Sequence, residues 1–136
     1  MKFQDGPAHA MTMVMPFAAS SVPGARHDLH RWLSSRGLGS DLVDTAVLVM
    51  TELLGNAVRH ARPMPEGTLQ VRSALAGEDL QISVSDGGGG DGPRMRHVSP
   101  LATEGRGIAL VDSLTDAWWC ESSSAGRTVH AILPVG

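Results

Sequence analysis

The chain has little of several features that define common protein classes. Its 136 residues include a single cysteine, Cys120, which excludes an internal disulfide and is compatible with a reducing compartment. No apolar run approaches the roughly 20 residues that a membrane span needs. No continuous apolar segment follows Lys2 as it would in a secretory signal. We therefore expect a soluble cytoplasmic protein without membrane association.

Positive charge is also scarce. The formal net charge of −3 argues against direct binding of nucleic acid, which normally selects a basic face. Lysine occurs only at Lys2, so a bound anion would have to be met by arginine side chains or by backbone N–H groups.

Several motifs that would assign a chemistry are absent. There is no G-x-x-x-x-G-K-[ST] phosphate loop, no H-E-x-x-H or paired-cysteine zinc motif, and no G-x-S-x-G nucleophile elbow. The glycines at 87–90 lead into a long loop rather than into a helix, which disfavours a dinucleotide-binding fingerprint. These absences exclude the most familiar phosphate, metal and acyl-transfer sites.

Short periodic segments run through the rest of the chain and predict its fold. The first ten residues are expected to be a disordered tail, and 11–136 a single domain. The order of elements predicts a two-layer α/β (α+β) sandwich, in which a mixed, mostly antiparallel sheet carries helices on one face. The predicted elements are strands at 11–18, 68–75, 80–84, 116–120 and 129–133, a hairpin turn at 76–79, a turn at 126–128, and helices from Ser21 to Gly37, from a Ser40 cap to before Pro63, and at 108–114. The methionines of the first strand are expected to fill gaps in the core. The inner stripe of the first helix is predicted to be Ala25, Leu29, Trp32 and Leu33.

The second of these helices is predicted to present a polar pair on a rigid support. At 100° per residue its apolar residues form one stripe, while Glu52, Asn56, Arg59 and His60 lie close together on the opposite side. A carboxylate and a carboxamide one turn apart suit a site that holds a metal-bound ligand and a reacting hydroxyl. An ordinary solvated helix face is the alternative. The predicted stripe is Val43, Ala46, Val47, Met50, Leu54, Ala57, Val58 and Ala61.

Two further features could serve a nucleotide. Asp86 ends a predicted strand and precedes four glycines, so its carboxylate could accept a hydrogen bond from an exocyclic amine while the ring lies against bare backbone. Gly105-Arg106-Gly107 opens a helix whose free N–H groups can bind an anion. Taken singly, the first feature has a flexible glycine loop after a strand as its alternative, and the second has an ordinary helix start that happens to contain two glycines. Residues 91–104 between them follow neither period and are predicted to be a lid or a disordered segment.

Taken in order, these features resemble the GHKL ATPase superfamily, which has the Bergerat ATP-binding fold. The resemblance comprises Glu52-x-x-x-Asn56, then Asp86-x-Gly88-x-Gly90, then a lid over 91–104, then Gly105-x-Gly107, and three ordered motifs are far more specific than one. Within the superfamily, the phrases TELLGNAVRHA, EGRGIALVDSLTD and GRTVHAIL look like the anti-sigma-factor serine/threonine-protein kinases. The resemblance implies an HATPase-type domain that binds ATP and Mg²⁺.

The same resemblance implies a role for each motif. Glu52 would be the general base, Asn56 the Mg²⁺ ligand and Asp86 the carboxylate that reads adenine. The remaining contacts with the nucleotide would come from Gly88, Gly90, Gly105, Arg106, Gly107 and Thr128.

The implied function is that of a regulatory kinase. Such a protein acts as an anti-sigma factor and phosphorylates a serine of an anti-anti-sigma partner with a STAS-type domain. A sigma factor as a second partner and a homodimer are both compatible with the resemblance. The alternative is a binding module that uses ATP only to set its conformation. Glu52 favours the kinase, because a pure binding module has no need of a base there.

Overall fold

Strands and helices follow one another nearly as the sequence predicts. The computed structural model describes residues 2–5, 9–88, 94–96 and 106–135, with side chains in 9–88 and 108–135. Among these residues, no helix has both the length and the apolar character needed to cross a membrane. The elements are strands β1 (Lys2–Asp5), β2 (Ala10–Pro16), β3 (Thr68–Ala76), β4 (Asp79–Asp86), β5 (Arg94–Arg96), β6 (Ala117–Ser123) and β7 (Gly126–Pro134), and helices α1 (Val22–Ser35), α2 (Ser40–His60) and α3 (Arg106–Leu114).

The described strands form one sheet in the order β1-β2-β3-β4-β7-β6-β5. Every ladder in it is antiparallel, including the predicted β3–β4 hairpin, whose turn contains Gly77 at φ +61°. The prediction of a mostly antiparallel sheet in a two-layer sandwich is confirmed. The order places β4 between β3 and β7, so residues from both halves of the chain meet along this strand.

Alternating burial along the strands shows which face carries the helices. Met11, Met13 and Met15 of β2 are each at most 1% exposed, and the residues between them lie on the other face. This confirms that the unbranched methionines fill the core. The face without helices is polar in its centre, where Ser83 Oγ lies 2.7 Å from His130 Nδ1. The inner stripe predicted for α1 is confirmed, because its buried residues are Ala25, Leu29, Trp32 and Leu33.

The buried side of α2 is turned relative to the predicted stripe. Val49 and Leu53 are buried, although the pattern did not assign them to the core, whereas Val47 and Val58 are only partly buried. The helix contacts α1, α3 and the sheet, so its apolar arc is set by three neighbours rather than by one. Because this rotation brings the core close to Asn56, the predicted polar pair lies at the border of the buried arc.

Three local predictions are wrong, and each involves pairing or capping that a single segment does not reveal. Residues 2–5, predicted as a disordered tail, form β1 against β2. The N-cap of α2 is Gly39 rather than Ser40. The predicted turn at 126–128 belongs to β7, which begins at Gly126. Within the predicted lid, Arg94–Arg96 forms β5 against β6, and the rest of 91–104 lies outside the described residues, so the lid stays a prediction.

The end of β4 is tied to the segment that follows α2. Gly87 N–H donates to Arg62 O at 2.7 Å, and Arg62 N–H donates to Gly88 O at 3.0 Å. A Cβ atom on Gly87 would lie 2.0 Å from Pro63 O, so only glycine permits this approach. The contact fixes the position of the last turns of α2 relative to Asp86.

We expect Gly87→Ala to lower the free energy of unfolding by about 2–3 kcal/mol or more, because the methyl group meets backbone that cannot yield without breaking these hydrogen bonds. Gly39→Ala is the control, since a Cβ atom there meets nothing within 4 Å; its loss should stay below about 1 kcal/mol. Equilibrium urea unfolding measures both. Equal losses in the two variants would contradict the tight approach at Gly87.

Candidate functional site

The motifs predicted from the sequence lie on three elements that meet around α2. Glu52 and Asn56 are on α2, Asp86 is the last residue of β4, and α2 contacts both β4 and α3. Arg106 and Gly107 are described only as backbone at the start of α3, and Gly90 and Gly105 lie outside the described residues. The helix that carries the polar pair is therefore the common neighbour of the other two elements.

Glu52 and Asn56 are half-buried side chains without partners within the described part of the chain. The intervening turn carries Gly55, where a Cβ atom would lie 3.1 Å from Arg59 Nη1. Because Gly55 has no side chain, the Arg59 guanidinium can fold over this turn of the helix. A carboxylate, a carboxamide and a guanidinium thus share one face of α2, with the first two available to a ligand.

Asp86 is a buried carboxylate whose two oxygens have different partners. Its Oδ1 accepts from Gly88 N–H at 2.7 Å. Its Oδ2 accepts from Arg127 Nη2–H at 3.1 Å and from Arg127 Nε–H at 3.3 Å. Asp86 is only 2% exposed, so its charge depends on these donors rather than on water.

Burial raises the pKa of Asp86 above its ordinary value of 3.8, because removing the carboxylate from water disfavours its charged form. The positive charge of Arg127, the Gly88 N–H and the hydrogen bonds from Arg127 all lower the pKa, but they do not outweigh burial. A carboxylate with a raised pKa in a recess is a common property of functional sites.

Thr128 does not share this environment. Successive side chains on a strand point to opposite faces, and Arg127 is the register partner of Asp86. The Thr128 hydroxyl lies 2.8 Å from Ser85 Oγ instead. The residue that sequence reasoning missed is therefore Arg127. Its signal was hidden because 126–128 was predicted as a turn, in which faces do not alternate.

A cavity of about 310 Å³ opens at this end of the sheet, which is at the lower limit of typical ligand pockets. Gly126 forms part of its wall at φ +149°, and a Cβ atom there would lie 2.5 Å from Asp86 O. Glycine is needed at this position so that β7 can approach β4. The lining residues are Met64, Ser85, Asp86, Glu121, Ser122, Ser123, Ala125, Gly126, Arg127 and Thr128.

Comparison with known families identifies the class of domain. Residues 15–133 match the model of the histidine kinase-like ATPase domain, which covers most of the chain from β2 to β7. The protein therefore belongs to the histidine kinase-like ATPase domain family, and the predicted GHKL identity is confirmed. Membership in this family implies ATP binding.

A solved structure supports the same fold. The chain is similar to a crystal structure of the RsbU and RsbW domains of Rv1364c from Mycobacterium tuberculosis, with a TM-score of 0.72 and 19% sequence identity. The similarity covers 93% of this chain and 32% of that one, so the chain spans about a third of the larger protein. No curated protein matches the chain.

The raised pKa of Asp86 predicts a specific dependence of stability on pH. The relevant pH window lies between 3.8, the ordinary pKa of an aspartate, and the higher pKa of Asp86 in the folded protein. In this window the folded protein binds more protons than the unfolded chain. Stability therefore falls as pH rises through this window. We therefore expect the free energy of unfolding of the wild type to fall relative to that of Asp86→Asn as the pH rises through this window. Above the window the difference between the two proteins should stay constant.

Urea unfolding at a series of pH values measures this difference. Asp79→Asn, at the exposed start of the same strand, supplies the baseline for replacing a carboxylate by an amide. A difference that moves in favour of the wild type with rising pH would mean that the ion pair with Arg127 outweighs burial, contrary to the raised pKa.

Proposed function

We propose that this domain binds Mg-ATP and transfers the γ-phosphoryl group to a serine of a protein partner, as an anti-sigma-factor kinase does. The single observation that carries the proposal is the pair Glu52 and Asn56. Both side chains are half-buried and have no partner among the described residues, and they lie on the helix that contacts the strand ending in Asp86. Polar side chains that a fold leaves partly buried and unpaired are typical of sites that receive their partner from a ligand.

The residue types fit the requirements of phosphoryl transfer. This reaction needs positioning and neutralisation of charge more than covalent help. Mg²⁺ takes few protein ligands and keeps several waters, so the amide oxygen of Asn56 together with phosphate oxygens would hold it. The ion would neutralise charge on the phosphates. Glu52, one turn away, would orient the serine hydroxyl and accept its proton.

The base would lie at the end of β4. The Asp86 carboxylate would accept a hydrogen bond from the exocyclic amine of adenine, and Gly88, at φ +93° and without a side chain, would place its backbone against the ring. The cavity of about 310 Å³ beside it is large enough for a base and part of a ribose. Gly90, Gly105, Arg106 and Gly107 remain proposed contacts with the phosphates. Thr128 lines the same cavity from the other face of β7, so it remains a proposed contact with the nucleotide, although it does not contact Asp86.

The proposed partners are proteins. An anti-anti-sigma factor with a STAS-type domain would present the serine, a sigma factor would be the sequestered partner, and pairing into a homodimer belongs to the same proposal, as does action in the cytoplasm. Similarity to an RsbW-containing structure supports this choice. The second candidate is an ATP-gated binding module, favoured by the engagement of Asp86 with Arg127, a contact that a nucleotide bound at Asp86 would have to rearrange.

We expect Asn56→Ala to weaken the binding of Mg-ATP by about 1–3 kcal/mol, because a charge-linked contact is lost while the fold is kept. Isothermal titration calorimetry measures the change. Gln70→Ala removes a carboxamide from a half-buried position on the helix-free face of β3 and should bind as the wild type does. If Asn56→Ala bound Mg-ATP with the affinity of the wild type, Asn56 would not be a ligand of the metal.

The kinase and the binding module are separated by Glu52→Gln. The variant keeps the shape of the side chain but not the base, so it should retain nucleotide binding and lose about 10²–10⁴-fold in transfer of labelled phosphate to serine in proteins that co-purify with the chain. Glu78→Gln, in the exposed β3–β4 turn, is the control. Transfer at the wild-type rate by Glu52→Gln would reject the kinase. If the wild type binds ATP but transfers no phosphate, the ATP-gated binding module becomes the better explanation.

A further inference from the structure

The carboxylate that would read the base already has most of its acceptor positions filled. Each carboxylate oxygen offers about two such positions. Both positions on Oδ2 of Asp86 are used by Arg127, and one on Oδ1 is used by Gly88. An incoming amine would therefore find Oδ2 fully engaged.

We propose that Arg127 competes with the base for Asp86, so that adenine binds at Oδ2 only after the guanidinium has moved away. This inference rests on the proposed binding of adenine nucleotides at Asp86. Arg127 would then be a residue that sets affinity and base selectivity, because a ligand must replace a charge-assisted pair of hydrogen bonds with its own contacts.

The geometry shows which of the two partners can move. The side chain of Asp86 is 1% exposed and that of Arg127 is 20% exposed. Asp86 is also held by Gly88 N–H at 2.7 Å, whereas the described structure gives the guanidinium of Arg127 no hydrogen-bond partner other than Asp86. Arg127 lines the cavity near the start of β7, and a long side chain there can swing toward solvent while the carboxylate stays in place.

The size of the effect follows from what is exchanged. A hydrogen bond between a charged donor and a carboxylate contributes more than one from a neutral amine. Breaking the contact between Arg127 and Asp86 therefore lowers the affinity for adenine, even though the base donates one new hydrogen bond to Oδ2. An effect of about tenfold in affinity is expected for an ion pair that is buried on one side only.

The test uses adenosine, a neutral probe on which the loss of a positive charge has no direct electrostatic effect. We expect Arg127→Met to bind adenosine about tenfold more tightly than the wild type, as measured by titration of amide chemical shifts. Arg72→Met removes an exposed arginine from β3 and should match the wild type. Guanosine, which presents a carbonyl where adenosine has its amine, should gain nothing from Arg127→Met.

A second measurement on the unmodified protein guards against a variant that does not fold. The Nε–H resonance of Arg127 should move toward that of a solvated arginine as adenosine saturates the site, whereas the resonance of Arg72 should not. Saturation with adenosine without a change at Arg127 would overturn the inference. The inference would also be overturned if a folded Arg127→Met variant bound adenosine no more tightly than the wild type does. It would likewise be overturned if neither the wild type nor Arg127→Met bound adenosine. Binding of Mg-ATP in the same samples decides the proposed function separately: if it persists, only the competition by Arg127 fails.

Discussion

The backbone at the carboxyl end of β4 holds the site together. Gly87 and Gly88 exchange hydrogen bonds with Arg62 beyond α2, and Asp86 faces Arg127 across the ladder with β7. These contacts join the helix layer to the middle of the sheet through main-chain atoms, whose positions vary less than those of long side chains. The polar pair of α2 and the carboxylate of β4 are consequently held on elements that cannot shift independently.

One buried charge, the carboxylate of Asp86, accounts for most of the stability that the site costs the fold. Removing a carboxylate from water is unfavourable unless hydrogen bonds and an opposite charge replace the lost hydration. Gly88 and Arg127 supply these replacements for Asp86, yet its pKa remains raised. A fold selected for stability alone would place an apolar residue here, so the retained carboxylate is best explained by function. Glu52 and Asn56 add a smaller cost of the same kind.

The site therefore divides into two parts with different chemistry. The part on α2 has polar side chains without partners in the described residues, and in the proposed function it would receive the metal ion and the phosphates. The part at β4 is already satisfied internally and would have to exchange its ion pair for a base. A nucleotide that engages both parts can offset the cost of opening the second with contacts at the first. Base and phosphate binding would then reinforce each other without any change in the core.

Local pattern in the sequence was sufficient for the element order, the α1 stripe, the β3–β4 hairpin and the placing of Glu52, Asn56 and Asp86, because periodicity depends on residues a few positions apart. Only the tertiary structure decided that Arg127 rather than Thr128 accompanies Asp86, since that depends on the register of strands 41 residues apart in sequence. The added strands β1 and β5 also arise from non-local pairing. Likewise, the rotation of α2 reflects contacts with α1, α3 and the sheet, which its own sequence does not encode.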